Sequence, residues 1–202
     1  MQPHAPPSAD GRSETEPAGS SGGGRKVVPG RACGTCTLCC KVLVIEEIAK
    51  PAGPWCRHCA PGRGCSIYES RYPGCRGFYC LWMTEEALGP EWKPERAKFA
   101  LVRTAQGRRL TACVDPGAPS AWRRSPYYEN LKRWAVEGAR RSPDIHLVDV
   151  SIGTRWIAIL PHRDVDIGTL DPDEMIQVDT TTTPTGEVLD VRKVKGPAGP
   201  AP

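Results

Sequence analysis

The feature that most constrains this chain is a cysteine-rich segment from Cys33 to Cys80. The segment holds nine of the ten cysteines in 202 residues, and it begins CGTCTLCC and ends GCRGFYC. Such a density indicates either disulfides in an oxidising compartment or reduced thiolates that bind metal. The first twenty residues contain no apolar signal-peptide core, and no later stretch approaches the length of a membrane span. We therefore expect a cytoplasmic protein without a membrane segment, in which metal explains the cysteines.

The spacing of the first cysteines supports a metal site. Cys33, Cys36 and Cys39 recur every third residue, and a C-x-x-C turn can direct both of its sulfurs toward one ion. Cys39 and Cys40 are adjacent, so their side chains should diverge in regular backbone. Either one of the two is not a ligand, or the pair serves two sites. Spacing does not distinguish zinc from an iron–sulfur cluster, because both accept four thiolates.

The segment resembles the YkgJ-type cysteine-cluster family, which is described as zinc- or iron-chelating. The resemblance rests on C-x-x-C-x-x-C-C, on KPAG before Cys56, on CSIY from Cys65, and on Arg71, Pro73, Cys75, Arg76, Phe78 and Cys80. It extends to about Trp82, roughly a quarter of the chain, and Cys59 lies outside the family positions. The resemblance implies these metal ligands: Cys33, Cys36, Cys39, Cys40, Cys56, Cys65, Cys75 and Cys80. Eight sulfurs suffice for two four-sulfur sites, or for one site with sulfurs to spare.

Composition divides the chain into four parts. Half of residues 1–30 are Pro, Gly or Ser, which predicts a disordered leader. Residues 31–83 contain few apolar side chains besides KVLVIEEI, so a structural metal should hold this cysteine-cluster domain together. Residues 84–195 form an α+β domain with its own core, and residues 196–202 form a disordered tail. The predicted fold is thus α+β: a small metal-stabilised domain, then a small antiparallel sheet with one packed helix.

Alternating apolar residues place the strands of the second domain. Residues 97–104 and 108–114 predict one hairpin, and 145–151 and 154–160 predict another. A helix should run from Ser125-Pro126 to about Arg140, and a shorter one from Thr84 to Gly89-Pro90. Weaker strands are predicted at 174–180 and 187–194. Four aspartates between 164 and 173 are interpreted as a solvated loop, and Cys113 as a buried apolar residue of a strand.

Three functions remain open at this level. The first is a metal-binding accessory protein, with zinc, iron or a [4Fe–4S] cluster in a structural or regulatory role. Its partners would be the metal ion and, as a second candidate, another protein. The alternative is an iron–sulfur redox or modifying enzyme, but H-E-x-x-H, G-x-S-x-G and phosphate-loop motifs are absent from the sequence, so we lean against an enzyme.

The third function is a zinc-ribbon-like nucleic-acid binder. Residues 91–141 carry twelve Lys and Arg against five Asp and Glu, interleaved with Trp and Tyr. Such interleaving is found on nucleic-acid surfaces. However, the helical periodicity places several of these aromatic residues in a core, so we expect no nucleic-acid partner.

Arginines among the cysteines are candidates to offset the charge of a thiolate centre, which is minus two for four thiolates around a divalent ion. Arg57, Arg63, Arg71 and Arg76 lie in the segment, and Arg76, beside Cys75, is the first choice. The alternative is that all four are solvated. His58 lies between Cys56 and Cys59, and we expect it to be a bystander rather than a ligand.

Overall fold

The computed structural model describes residues 26–104, 108–140, 147–171, 173–184 and 186–196. Within these residues the helices are α1 Cys39–Val42, α2 Pro73–Gly77, α3 Leu81–Thr84, α4 Pro94–Ala97 and α5 Tyr127–Ala139. The first strands are β1 Cys59–Ala60, β2 Gly64–Cys65, β3 Phe99–Thr104, β4 Arg109–Val114 and β5 Leu147–Ile152. The remaining strands are β6 Arg155–Ile159, β7 Asp164–Thr169, β8 Glu174–Thr183 and β9 Gly186–Lys195. No helix of the described chain is long and apolar enough to cross a membrane.

A five-stranded sheet organises the second half of the chain, and the predicted α+β class is confirmed. Its strand order is β3-β4-β5-β6-β7, and both predicted hairpins, β3-β4 and β5-β6, are present. The prediction of a purely antiparallel sheet is wrong, because β4 and β5 run parallel. The physical reason is the connection: the predicted helix, α5, lies between these strands, and a helical crossover returns the chain in the same direction. The two weaker strands, β8 and β9, form a separate antiparallel pair.

One face of the sheet packs against α5 and carries the main core. Phe99 and Leu101 of β3 alternate with residues of the other face, and Leu131 of α5 is completely buried against them. Trp122, 1 % exposed, and Tyr127, 6 % exposed, lie in the same core. Several aromatic residues of the basic stretch are therefore part of the core, as the periodicity predicts, and Tyr128 and Trp134 are half-buried against it.

Two different parts of the chain cover the opposite face of the sheet. Over β3 and β4, a shared apolar cluster joins Leu38, Val42 and Cys80 of the cysteine-rich segment, and Met83 just after it, to Ala100, Val102 and Cys113. Over β5 and β6, the β8–β9 pair contributes Ile176, Leu189 and Val191, which pack with Leu147, Ala158 and Leu160. The cysteine-rich segment therefore lies directly on the edge strand β3 and its neighbour β4.

The predicted helix from Thr84 to Gly89 is wrong, because α3 ends at Thr84 where that helix should begin. Carbonyl groups within α3 and just past its end accept hydrogen bonds from a distant side chain. The Arg31 guanidinium donates to the carbonyls of Trp82, Glu85, Glu86 and Leu88. Helix propensity is a local property, so this partner, more than fifty residues away in the sequence, could not be anticipated from it.

The predicted acidic loop is also partly wrong, since Asp164 and Asp166 lie in β7. Asp164 accepts hydrogen bonds from Lys132 and Tyr128 of α5, and Asp166 pairs with Arg155 on β6. Val165 and Ile167 pack against the cluster under β8 and β9. The alternation of apolar and acidic residues is therefore that of a half-buried strand at the edge of a sheet.

The predicted leader and tail lie largely outside the described residues. Positions 1–25 of the leader and 197–202 of the tail are not described. Inside the predicted leader, the Val28 N–H donates to the Met83 carbonyl at 2.9 Å, and Val27 packs on the shared apolar cluster. Contacts with the cysteine-rich segment thus begin before residue 31.

Candidate metal centre

A cavity of about 460 Å³ lies within the cysteine-rich segment. It is lined by seven of the eight predicted ligands, namely Cys33, Cys36, Cys39, Cys40, Cys56, Cys65 and Cys75. Apolar residues such as Leu43 and Phe78 complete the wall. The eighth predicted ligand, Cys80, is 8 % exposed and lies in the shared apolar cluster. The described residues include all ten cysteines, and each is a free thiol.

Tight turns position several of these thiols. Two of the three C-x-x-C pairs, Cys33–Cys36 and Cys56–Cys59, are each closed by an N–H to carbonyl bond of 2.9 Å between their first and last residues. The hairpin of β1 and β2 begins at Cys59, with Gly62 (φ 71°) in its turn and Gly64 (φ 131°) at the start of β2. These backbone angles favour glycine.

Backbone N–H groups point at three of the sulfurs. The His58 N–H donates to Cys56 Sγ at 3.5 Å. Burial raises the pKa of the Cys36 thiol, but the N–H groups of Leu38 and Glu95 oppose this by donating to its sulfur. Burial likewise raises the pKa of Cys80 to about 11, against N–H donors from Met83 and Trp82. Hydrogen bonds of this kind favour the charged form of a thiol, but burial outweighs them at Cys36 and Cys80, and the pKa of each stays above its ordinary value.

Cys39 and Cys40 do not diverge, contrary to the prediction. Both thiols face the cavity, and they are joined by a hydrogen bond. This hydrogen bond, followed by burial, raises the pKa of Cys40 far above its ordinary value. Both residues lie in the first turn of α1, where adjacent side chains are about 100° apart around the axis, so both can border one wide cavity.

The thiols form two groups, according to which of them shift the pKa of one another. Cys33, Cys36 and Cys80 influence one another and lie beside the sheet. The second group surrounds Cys40 and Cys56, both of which raise the pKa of Cys75, although burial is the largest cause there. Cys65 belongs to the same group through its effect on Cys75. Cys33 also interacts with Cys40, so the two groups adjoin.

Cys59 lies outside the ligand positions that the family resemblance implies, but its thiol interacts with that of Cys40. Burial raises the pKa of its thiol to about 11, and Cys40 adds to the shift through charge repulsion and a hydrogen bond. Its Cα also pairs with that of Cys65 across the hairpin. The available sequence signal was the second C-x-x-C pair, Cys56–Cys59, which repeats the spacing of the first.

The cations that act on the thiols include Lys50, Arg71 and Lys93, and the predicted Arg76 does not line the cavity. Lys50 is only 7 % exposed, and burial lowers its pKa, whereas Cys56, Cys40, Cys39 and Cys75 act in the opposite direction. Arg71 lines the cavity and stacks on Tyr68, with 3.8 Å between the guanidinium carbon and the ring centre. Arg57, Arg63 and Arg76 do not line the cavity.

His58 also lines the cavity, but its Nε2 is already engaged. It lies 3.2 Å from the Tyr72 hydroxyl and accepts a 3.4 Å hydrogen bond from Arg57 Nε. These contacts occupy Nε2, one of the two ring nitrogens through which a histidine can bind metal.

Cys113 is separate from the cavity and behaves as predicted. It lies on β4 at 8 % exposure, and its thiol is hydrogen-bonded to Ser151. Burial raises the pKa of this thiol to about 11.

The donor chemistry of the cavity fits a metal that prefers sulfur, since thiolates select zinc, Cu(I) and iron–sulfur clusters. Among the described residues, however, no three His, Cys, Asp or Glu side chains lie close enough together to hold an ion as they stand. The thiols instead surround a wider space. Binding one tetrahedral ion would thus require them to converge, because each zinc–sulfur bond is only about 2.3 Å long.

Comparison with known proteins yields no match to a family model, a curated protein or a solved structure.

Proposed function

We propose that the segment from Cys33 to Cys80 binds zinc or iron through thiolates, as a structural or regulatory centre of an accessory protein. The observation that carries this proposal is the single cavity lined by seven cysteines. Backbone N–H groups directed at Cys36, Cys56 and Cys80 support it, since such donors would stabilise the negative charge of a sulfur that binds an ion. The proposal agrees with the resemblance to the YkgJ-type family and assumes a cytoplasmic location, where thiols stay reduced.

The size of the cavity favours iron–sulfur over mononuclear zinc. Four sulfurs bound to one zinc ion lie about 3.8 Å apart, given bonds of about 2.3 Å. A cavity of about 460 Å³ is wider than such a site requires. An iron–sulfur cluster holds its four thiolates farther apart, and more than four cysteines are available here. Iron–sulfur is therefore the form of the proposal that the geometry supports best.

Anaerobic purification followed by elemental analysis and an absorption spectrum tests the proposal. A brown protein that absorbs broadly near 400 nm and contains iron and acid-labile sulfide supports an iron–sulfur cluster. A colourless protein with stoichiometric zinc supports a zinc site. Protein that contains neither metal, and takes up neither during anaerobic reconstitution, would contradict the proposed function.

A further inference from the structure

Cys59 and Cys65 face each other across the short hairpin that β1 and β2 form. Their Cα atoms are partners in the antiparallel register of the two strands. The next hydrogen bond along the hairpin joins the Ser66 N–H to the His58 carbonyl at 2.8 Å, so it flanks the cysteine pair and does not join it. Cys59 and Cys65 therefore occupy a non-hydrogen-bonded position, at which opposite Cα atoms lie about 4.5 Å apart.

This separation matches what a disulfide requires. Disulfides join cysteines whose Cα atoms are about 4.4–6.8 Å apart, and opposite side chains of a strand pair project from the same face. The Cβ atoms of such residues lie about 4.5–5.5 Å apart and are closest at non-hydrogen-bonded positions. A bridge between Cys59 and Cys65 thus needs rotation of the two side chains and at most a small adjustment of the backbone. Both thiols are free.

The hairpin is also accessible to a small oxidant. Both of its cysteines are half-buried, and the turn between them, residues 60–63, is exposed. Arg57 and Arg63 are exposed, and residues 57–64 contain no carboxylate. Glutathione disulfide is negatively charged at neutral pH, so this local positive charge favours its approach. Cys56, by contrast, is only 6 % exposed.

We propose that Cys59 and Cys65 are a redox-active pair, which glutathione disulfide converts to a cross-strand disulfide. The sulfur of one cysteine attacks the glutathione disulfide, loses its proton and releases the first glutathione as a thiol. The second cysteine then attacks the mixed disulfide at the protein sulfur and releases the second glutathione. Two protein S–H bonds and one glutathione S–S bond are thus replaced by one protein S–S bond and two glutathione S–H bonds, so glutathione gains the two electrons that the protein loses.

The pairing requires only two thiols and the register of the hairpin, so it goes beyond the proposed function and does not depend on it. Cys65 lines the cavity and is also one of the ligands that the family resemblance implies. A Cys65 sulfur held in a disulfide is not available to a metal. Oxidation of the pair would therefore link the redox state to the occupancy of the candidate metal centre, a consequence that does rest on the proposed function.

The test maps disulfides in the full chain after anaerobic exposure to glutathione disulfide. The chain is oxidised both as purified and after chelation, since metal bound to Cys65 would block the reaction, and a third sample is oxidised in urea. After alkylation of the remaining thiols, trypsin cleaves at Arg57, Arg63 and Arg71, which places the two cysteines in separate peptides, HCAPGR and GCSIYESR. Mass spectrometry of the linked peptides then identifies the Cys59–Cys65 disulfide directly.

In at least one of the two samples without urea, we expect HCAPGR linked to GCSIYESR to be the most abundant disulfide that contains either cysteine. Its share should exceed that in the urea sample, because unfolding removes the register that places the two sulfurs together. Cys65→Ser should abolish the link. The matched control, Cys75→Ser, changes a cavity cysteine outside the hairpin and should retain the link.

Three results would overturn the proposal. The first is a Cys59 linked mainly to Cys56, its C-x-x-C partner, or to Cys40, with which its thiol is hydrogen-bonded. The second is no enrichment of the Cys59–Cys65 link over the urea sample in either preparation. The third is a link that joins isotope-labelled to unlabelled chains in a mixture of the two. A chain that forms the link but binds neither zinc nor iron supports this inference and removes only the proposed function.

Discussion

Metal removal should loosen the edge of the five-stranded sheet as well as the cysteine-rich segment. From the sequence alone we expect chelation to unfold the segment from Cys33 to Cys80 and to leave the structure of residues 91–194 largely intact. In the structure, however, Leu38, Val42 and Met83 cover the face of β3 and β4 that is opposite α5. If the metal holds the cysteine-rich segment together, its loss exposes this face. Amides of β3 should then exchange faster, whereas those of β5, between two neighbouring strands, should remain protected.

The size of the effect follows from these three side chains. Each is 6 % exposed or less, and burying such a side chain is worth about 1.5–3 kcal/mol, or roughly 5–9 kcal/mol together. This is an upper bound, because the unfolded segment retains some burial. If about 3 kcal/mol of this burial free energy stabilises β3 locally, chelation should speed hydrogen exchange of the β3 amides by about 100-fold.

The assay is hydrogen exchange with mass spectrometry, with and without a chelator, in the presence of reductant. Leu38→Ala is the control, because it removes part of the shared apolar cluster and none of the thiols. It should cost about 2–5 kcal/mol and speed exchange of β3 while the metal remains bound.

Three results would refute parts of this reasoning. Faster exchange confined to residues 33–80 would mean that the sheet does not depend on the shared cluster. An equal loss of amide protection in β5 and α5 would mean that the whole chain unfolds as one unit. No change in any segment would mean that the cysteines hold no structural metal, and the proposed function would lose its structural role.

Three further predictions follow from individual residues. Cys36→Ser should lower metal content and protease resistance more than Cys113→Ser, because Cys36 lines the cavity and Cys113 lies in the core; the reverse order would show that the ligand assignment is wrong. Deletion of residues 1–25 should leave metal content and melting temperature unchanged, given their Gly, Pro and Ser content, and a lower melting temperature would contradict this. Burial raises the pKa of Asp149 to about 6 despite its 2.6 Å ion pair with Arg109, whereas an unfolded Asp titrates near about 3.9. The folded state thus binds the Asp149 proton more tightly than the unfolded state does. The stabilisation that results is fully present below about pH 4 and is lost as the pH rises through about 6. The unfolding free energy of the unsubstituted chain minus that of Asp149→Asn should therefore fall by about 3 kcal/mol from pH 3 to pH 7, and a constant difference in denaturant titrations would oppose it.

Patterns that depend on neighbouring residues were readable from the sequence. Alternating apolar residues predict the two hairpins, and the 3.6-residue period predicts α5, because burial on one face imposes these spacings. The density of cysteines similarly predicts that many thiols share one region, and the structure places seven of them around one cavity.

Features that depend on distant residues were decided only by the tertiary structure. Arg31 binds the carbonyls that end α3, and the cysteine-rich segment packs on β3 and β4. The parallel pairing of β4 with β5, the hydrogen bond between adjacent thiols and the burial of Lys50 beside four cysteines arise in the same way. Each of these depends on where the chain returns in space, and local propensity and spacing carry no information about that return.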